Sequence, residues 1–279
     1  MKRHTPLALF VLLLTAGGCN QAAAQIYVNA HGGITLPQGF YADSRMSDHE
    51  WMFAQGHQLK AGAGRGWTAG LDVAYALPFV KGLEVLFCAD FMQSGMNKDV
   101  QEYYDKYQSR HLSQCTAYEM KLPRLRHIPL MAGVQYSFPL TTTVSLYGQA
   151  LAGVNLRYIT PWILAYADEN WTDPSADGSL KYNNMKTCTY ASAATLALRL
   201  GGGFMVKNTV TLGFNINLLG ASPLVWDEQE TVRYNIYGNI KELNNTTRVE
   251  YYDIRPVIVT ISLGYRLKVA NAQRHVQDW

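Results

Sequence analysis

Two polar stretches hold the residue types that could do chemistry. In the first, His49, Glu50 and His57 lie close together; in the second, His111 has Ser94, Ser109 and Ser113 near it. Such sets would serve a metal ion or a histidine-activated serine if their spacing allowed it. The histidines match no compact ligand pattern, and no nucleophile motif surrounds the serines. Solvated loop histidines are the plainer reading, and a lipid-modifying hydrolase or acyltransferase is the sharper one. "RLGGGF" (199–204) has the glycines of a phosphate loop but no helix after it and no Gly-Lys-Ser/Thr end. Nothing calls for a cofactor.

A third set is buried in apolar sequence: His31, Asp72, Glu84, Asp90, Arg157, Arg199 and Arg266. Three acids and three arginines either pair with one another, aided by Gln135, Gln149, Asn215 and Asn217, or line a proton or ion path. Which of these applies depends on the elements that carry them.

Those elements alternate with period two. Eight segments do so: 26–36 (IYVNAHGGITL), 67–77 (WTAGLDVAYAL), 83–93 (LEVLFCADFMQ), 128–138 (IPLMAGVQYSF), 144–158 (VSLYGQALAGVNLRY), 194–206 (ATLALRLGGGFMV), 210–219 (VTLGFNINLL) and 257–267 (VIVTISLGYRL). Each is long enough to cross a bilayer as a tilted strand, which takes ~9–11 residues. Three connections are short (PFVKG, PLTTT, KNT), and four are long and polar, over 37–66, 94–127, 159–193 and 220–256. Long structureless loops argue against an ordinary compact domain. Short and long connections in alternation point instead to an all-β, eight-stranded antiparallel up-and-down transmembrane β-barrel, with four long external loops and short periplasmic turns.

That architecture assigns the two faces. Leu71, Val73, Phe87, Leu130, Val134, Leu198, Leu212 and Ile261 meet lipid, while small or polar residues and the ionisable set face the lumen. Trp67 and Phe91 mark the loop end of the lipid face, and Tyr75, Tyr136, Phe138, Phe204 and Tyr265 mark the turn end, as interfacial girdles do. An eight-stranded barrel has room inside only for its side chains, so Asp72, Glu84, Asp90, Gln135, Arg157, Arg199 and Arg266 are expected to form a polar plug. By depth, Asp72 lies level with Arg199, and Glu84 lies with Arg266 near the turns.

Composition and the N-terminus agree with export. Charged residues are 16% of the chain, below the usual quarter. A formal charge of +3 without a Lys/Arg run excludes nucleic acid as an expected partner. "MKRH" followed by the apolar run 7–14 reads as a signal peptide, far short of the ~20 residues of a membrane helix. Cleavage after Ala24, with Ala22 and Ala24 at the small-residue positions, competes with lipidation at Cys19, where Ala16 stands in place of the usual Leu. The expected organisation is a leader over 1–24, a barrel over 25–267 and a periplasmic tail over 268–279. In an exported chain Cys115 and Cys188, both in polar stretches, could form a disulfide; three unpaired thiols, counting Cys88, is the other reading.

"IPLMAGVQYSF", "LYGQALAGVNL" and "VTISLGYRL", together with a leader ending before Gln25, resemble the small outer-membrane β-barrel proteins of Bacteroidetes. The resemblance covers 25–267 and implies an outer-membrane location without one shared activity. Such barrels commonly end on an aromatic residue read by the barrel-assembly machinery; here Leu267 is followed by "KVANAQRHVQDW". The expected function is a structural or surface-interaction role, with a narrow porin and a lipid-modifying enzyme as alternatives. Expected partners are outer-membrane lipids, lipopolysaccharide, the assembly machinery and an extracellular ligand or protein. The last would meet the aromatic and charged loop stretches "HEWMF", "EYYDKY", "PWILAY" and "RVEYYD".

Overall fold

The computed structural model describes residues 24–42, 62–98, 102, 115, 117–168, 171, 182–236 and 239–272. Thirteen strands run through them: β1 (Ala24–Gln38), β2 (Ala63–Ala76), β3 (Leu83–Met96), β4 (Ala117–Lys121), β5 (Leu125–Pro139), β6 (Val144–Ile159), β7 (Trp162–Ala167), β8 (Asn184–Tyr190), β9 (Ala193–Val206), β10 (Val210–Leu218), β11 (Ser222–Ile236), β12 (Asn239–Ile254) and β13 (Val257–Ala272). Eight of them close into an antiparallel barrel in the order β1-β13-β10-β9-β6-β5-β3-β2. These eight are the alternating segments, most of them extended by one to five residues, while β10 stops one residue short of the segment read over 210–219. The seam pairs β1 with β13 from Ala24↔Ala272 to Gln38↔Val257. Residues 268–272, expected in the tail, are therefore part of the wall.

The wall is apolar outside and polar inside. Leu71 (56%), Phe87 (58%), Leu130 (47%), Leu200 (63%) and Leu263 (62%) are exposed, whereas Glu84, Asp90, Gln135, Arg199, Asn217 and Arg266 are buried. In water each such exposed side chain would forgo ~1.5–3 kcal/mol of burial, so hydrocarbon is the solvent this face fits. Trp67 and Phe91 stack 5.1 Å apart in one aromatic girdle. No helix among the described residues is long and apolar enough to cross a membrane.

The long connections depart from expectation. Three of the four, read as structureless, supply a five-stranded sheet of order β12-β11-β8-β7-β4. This order repeats the barrel order β13-β10-β9-β6-β5, because each of its strands continues a barrel strand outward. The continuations are interrupted at one level, at 122–124, 160–161, 191–192, 219–221 and 255–256. Pro123, Pro161 and Pro256 interrupt three of them, since proline has no N–H to give the ladder. Gly220 turns a fourth with φ +61°. The corners are held by backbone bonds across the breaks: Thr160 N–H to Arg124 O (3.0 Å), Ala191 N–H to Val225 O (2.8 Å) and Leu219 N–H to Pro256 O (3.0 Å). Above them the buried apolar cluster that begins in the barrel continues through Trp162, Cys188, Leu224 and Trp226, with Met120, Leu164 and Tyr190 packed against it.

Candidate functional site

The lumen is the most chemically dense part of the molecule, and it is layered. In the middle layer the Arg199 guanidinium on β9 pairs with Asp90 on β3. It also donates from Nε to Asn217 Oδ1 (2.6 Å) and from Nη1 to Cys88 Sγ (3.1 Å). His31 on β1 bridges Asp72 and Asp90, with Nδ1 3.2 Å from Asp72 and Nε2 3.0 Å from Asp90. Both bonds are complete only when both ring nitrogens carry protons, which makes His31 a lumen cation beside the arginines. Asp72 also accepts from Asn29 (2.8 Å). The depth argument that set Asp72 against Arg199 thus gives way: Arg199 meets Asp90, and Asp72 takes His31 and Asn29. Barrel stagger is the reason, since strands tilt and residues equally far from the turns do not share a level.

The layer nearer the turns is built on Glu84. Arg266 donates to it at 2.5 Å and Gln135 at 3.1 Å, while the Tyr27 ring lies 4.0 Å from the guanidinium carbon. Between the layers Gln149 donates to Asn215 (2.6 Å). The inward glycines of "RLGGGF" make room here. A Cβ at Gly203 would come within 2.9 Å of the Tyr147 hydroxyl, and one at Gly201 would overlap Asn215. Among these side chains lies a cavity of about 30 Å³, lined by Asn29, His31, Asp72, Gln135, Gln149 and Arg199, among others.

Arg157 Nη2 donates to Pro223 O (2.8 Å), tying β6 to the first residues of β11. Beside it lies a layer that the sequence reading missed. Tyr41 Oη is 2.8 Å from His127 Nε2, and Asn155 Nδ2 is 3.2 Å from His127 Nδ1 and 3.3 Å from Thr195 Oγ1. Thr195 donates onward to Leu219 O (2.6 Å), at a corner of the upper sheet. With Asn155 donating to Nδ1, His127 is neutral and donates from Nε2 to Tyr41. The signal was available: His127 continues the inward parity of Pro129 and Met131, one step before the segment was taken to begin.

His31, Asp72 and Asp90 have the ligand types of a metal site within 4.8 Å of one another. Arg199 already occupies Asp90, and a dication would sit beside its guanidinium, so the arrangement fits an ion-pair network better than a metal. Of the two readings left open for the cysteines, the structure has the unpaired one, with Cys88, Cys115 and Cys188 as free thiols. Cys188 points its Sγ toward Glu228 Oε2 at 3.9 Å, and burial, followed by the Glu228 charge, pushes its pKa up to about 11. Glu228 also holds Lys186 at 2.5 Å and raises its pKa against burial, which alone would lower it. Ser94 is buried against Thr35 Oγ1 at 3.3 Å, inside the wall. His49, Glu50, His57, Ser109, Ser113, His111, Cys19, the leader and Trp279 lie outside the described residues.

No family model and no curated protein matches the chain. Among solved structures it is similar to Neisserial surface protein A, at 13% identity over 88% of this chain and 99% of that one, with a TM-score of 0.40. It is similar also to the outer membrane protein OprG from Pseudomonas aeruginosa, at 17% identity over 88% and 98% of the two chains, with a TM-score of 0.38. A third is a major outer membrane protein from Thermus thermophilus, at 15% identity over 88% and 100%, with a TM-score of 0.37. The transmembrane barrel stands on its own topology and apolar belt rather than on these distant likenesses.

Proposed function

We propose that this chain is a bacterial outer-membrane barrel with a structural and surface-interaction role, its lumen closed and its outer sheet carrying recognition. The observation that carries this reading is the filled lumen. Two arginine–carboxylate pairs and a doubly engaged histidine cross it, and the space between them holds about 30 Å³. A narrow porin would need a continuous polar path. Export through a cleaved signal peptide, insertion by the barrel-assembly machinery, contact with outer-membrane lipids and lipopolysaccharide, and kinship with the small barrels of Bacteroidetes belong to the same reading. They rest on the N-terminal pattern and the strand segments quoted above. An extracellular ligand or protein would meet the five-stranded sheet, whose β11–β12 ribbon carries Asp227, Gln229, Arg233, Glu242 and Arg248.

Planar-bilayer recording on the mature protein tests the closed lumen. The expected record is flat, with steps appearing only when Arg199 and Asp90 are both replaced by alanine. Discrete steps from the unaltered protein would overturn the reading in favour of a porin. A mass change in lipid A on expression would overturn it in favour of an enzyme. Cells bearing the protein with residues 227–248 replaced by a two-residue turn test the sheet. They should lose surface binding to glycans or host proteins while keeping a heat-modifiable barrel band.

A further inference from the structure

The lipid-facing wall is not uniformly covered. On one side it has a groove of about 650 Å³, within the ~300–1,000 Å³ range of ligand clefts. Its floor is Gly148 on β6 beside Gly202 on β9, a directly paired couple. Its walls are Tyr136 and Phe138 on one flank and Phe204 and Phe214 on the other. Tyr136 pairs with Gly148 and Phe214 with Gly202, so an aromatic–glycine–glycine–aromatic row crosses four adjacent strands.

The two glycines differ. A Cβ at Gly202 would press on Tyr147 O at 2.5 Å, so the backbone explains that residue. At Gly148 the nearest atom would be Gly201 O at 4.0 Å, and any side chain would fit. The fold leaves Gly148 unexplained; an open groove explains it.

Depth and charge indicate the occupant. Gly148 is five residues above Thr143, the last residue of the β5–β6 turn. At ~3.3 Å per residue and a strand tilt of roughly 40°, that is about 12 Å along the membrane normal, close to one leaflet of hydrocarbon. The groove therefore spans the turn-side leaflet. At its foot is Lys207, exposed in the β9–β10 turn, with its N–H bonded to Thr143 O at 2.6 Å. Val144 and Val206 pair just above it, then Leu146 and Phe204 at the groove's lower end. A cation at headgroup level beneath an apolar channel one leaflet long matches one molecule in both its parts.

We infer that this groove seats a phospholipid of the periplasmic leaflet, one acyl chain lying over Gly148 and Gly202 between the aromatic flanks and its phosphate on Lys207. The inference rests on the membrane-barrel reading above. The test is native mass spectrometry of the full protein released from vesicles of phosphatidylethanolamine and phosphatidylglycerol in equal amounts. Gel heat-modifiability, scored separately, reports whether the barrel has formed. The unaltered protein should retain one phospholipid, and Gly148→Leu should reduce retention by about tenfold, the equivalent of one decade in affinity. Lys207→Glu should weaken retention, and Ala152→Leu, on the same strand and face outside the groove, should leave it unchanged. Equal retention by the unaltered protein and folded Gly148→Leu would overturn the inference, as would release of a dimer with no lipid. A missing heat shift in the unaltered protein would overturn the barrel reading itself.

Discussion

The same five strands live two lives, one below and one above the line of breaks. Below it, β10 turns Leu212, Phe214, Ile216 and Leu218 outward and buries Asn215 and Asn217. Above it, its continuation β11 buries Leu224 and Trp226 and exposes Asp227 and Gln229. β9 and β8 repeat the contrast, with Arg199 buried in the one and Cys188 and Tyr190 turned to the apolar cluster in the other. The apolar residues go where water is not: outward in a bilayer, inward above it. The breaks let one continuous surface change its solvent without twisting a strand through a forbidden register. The two regions are stabilised by different forces, buried ion pairs below and aromatic packing above.

That division can be broken from either side. Arg199→Ala should have the largest effect, because it strands Asp90 and leaves His31 to balance two carboxylates. Removing one partner of a buried pair costs about 3–5 kcal/mol, and the loss should be global, lowering the denaturant midpoint of barrel and sheet together. Trp226→Ala should cost about 3 kcal/mol but locally. Limited proteolysis should cut within β11 and β12 while the heat-modifiable barrel band persists. Loss of both together would mean that the two regions fold as one unit.

Cys188 sharpens the comparison. Burial holds the Cys188 thiol at a pKa of about 11, so at pH 8 its thiolate share is about a hundredfold below that of an ordinary thiol. Iodoacetamide labelling followed by mass spectrometry should show Cys188 inert at pH 8 and reactive only as the pH climbs toward 11. The linkage has a definite sign. The folded value lies above the ordinary one near 9, so stability held by the neutral thiol is full below pH 9 and declines from there to about pH 11. Rapid labelling at pH 8 would mean that the upper cluster opens readily. The smallest effect belongs to Lys186→Met, which removes a half-exposed pair with Glu228 and should cost under ~1 kcal/mol, at the limit of a denaturation curve.

The barrel was legible because its outer solvent is uniform. Residues 128–138 alternate Ile, Leu, Ala, Val, Tyr and Phe against Pro, Met, Gly, Gln and Ser, and lipid enforces that contrast along every strand. The upper sheet was not, because "SPLVWDEQETVRYNI" mixes Trp226, Glu228 and Glu230 on one parity and has water near both faces toward its tip. The ionisable inventory was readable from parity alone. The partners were readable in part: Glu84 lies with Arg266 as its depth indicated, but the stagger of the wall sets Asp90 rather than Asp72 against Arg199. His127 was missed at a boundary, where alternation fades before the strand ends.

The fifteen-residue seam between β1 and β13 imposes an order of events. Its two strands are separated in sequence by all the other strands, so it is the contact of highest order and the slowest to find by diffusion. β11 and β12 precede β13, and a closed eight-stranded cylinder filled with side chains offers no passage for them. On that topology the outer sheet is expected to cross before the cylinder shuts, and the pairing of β1 with β13 to form last.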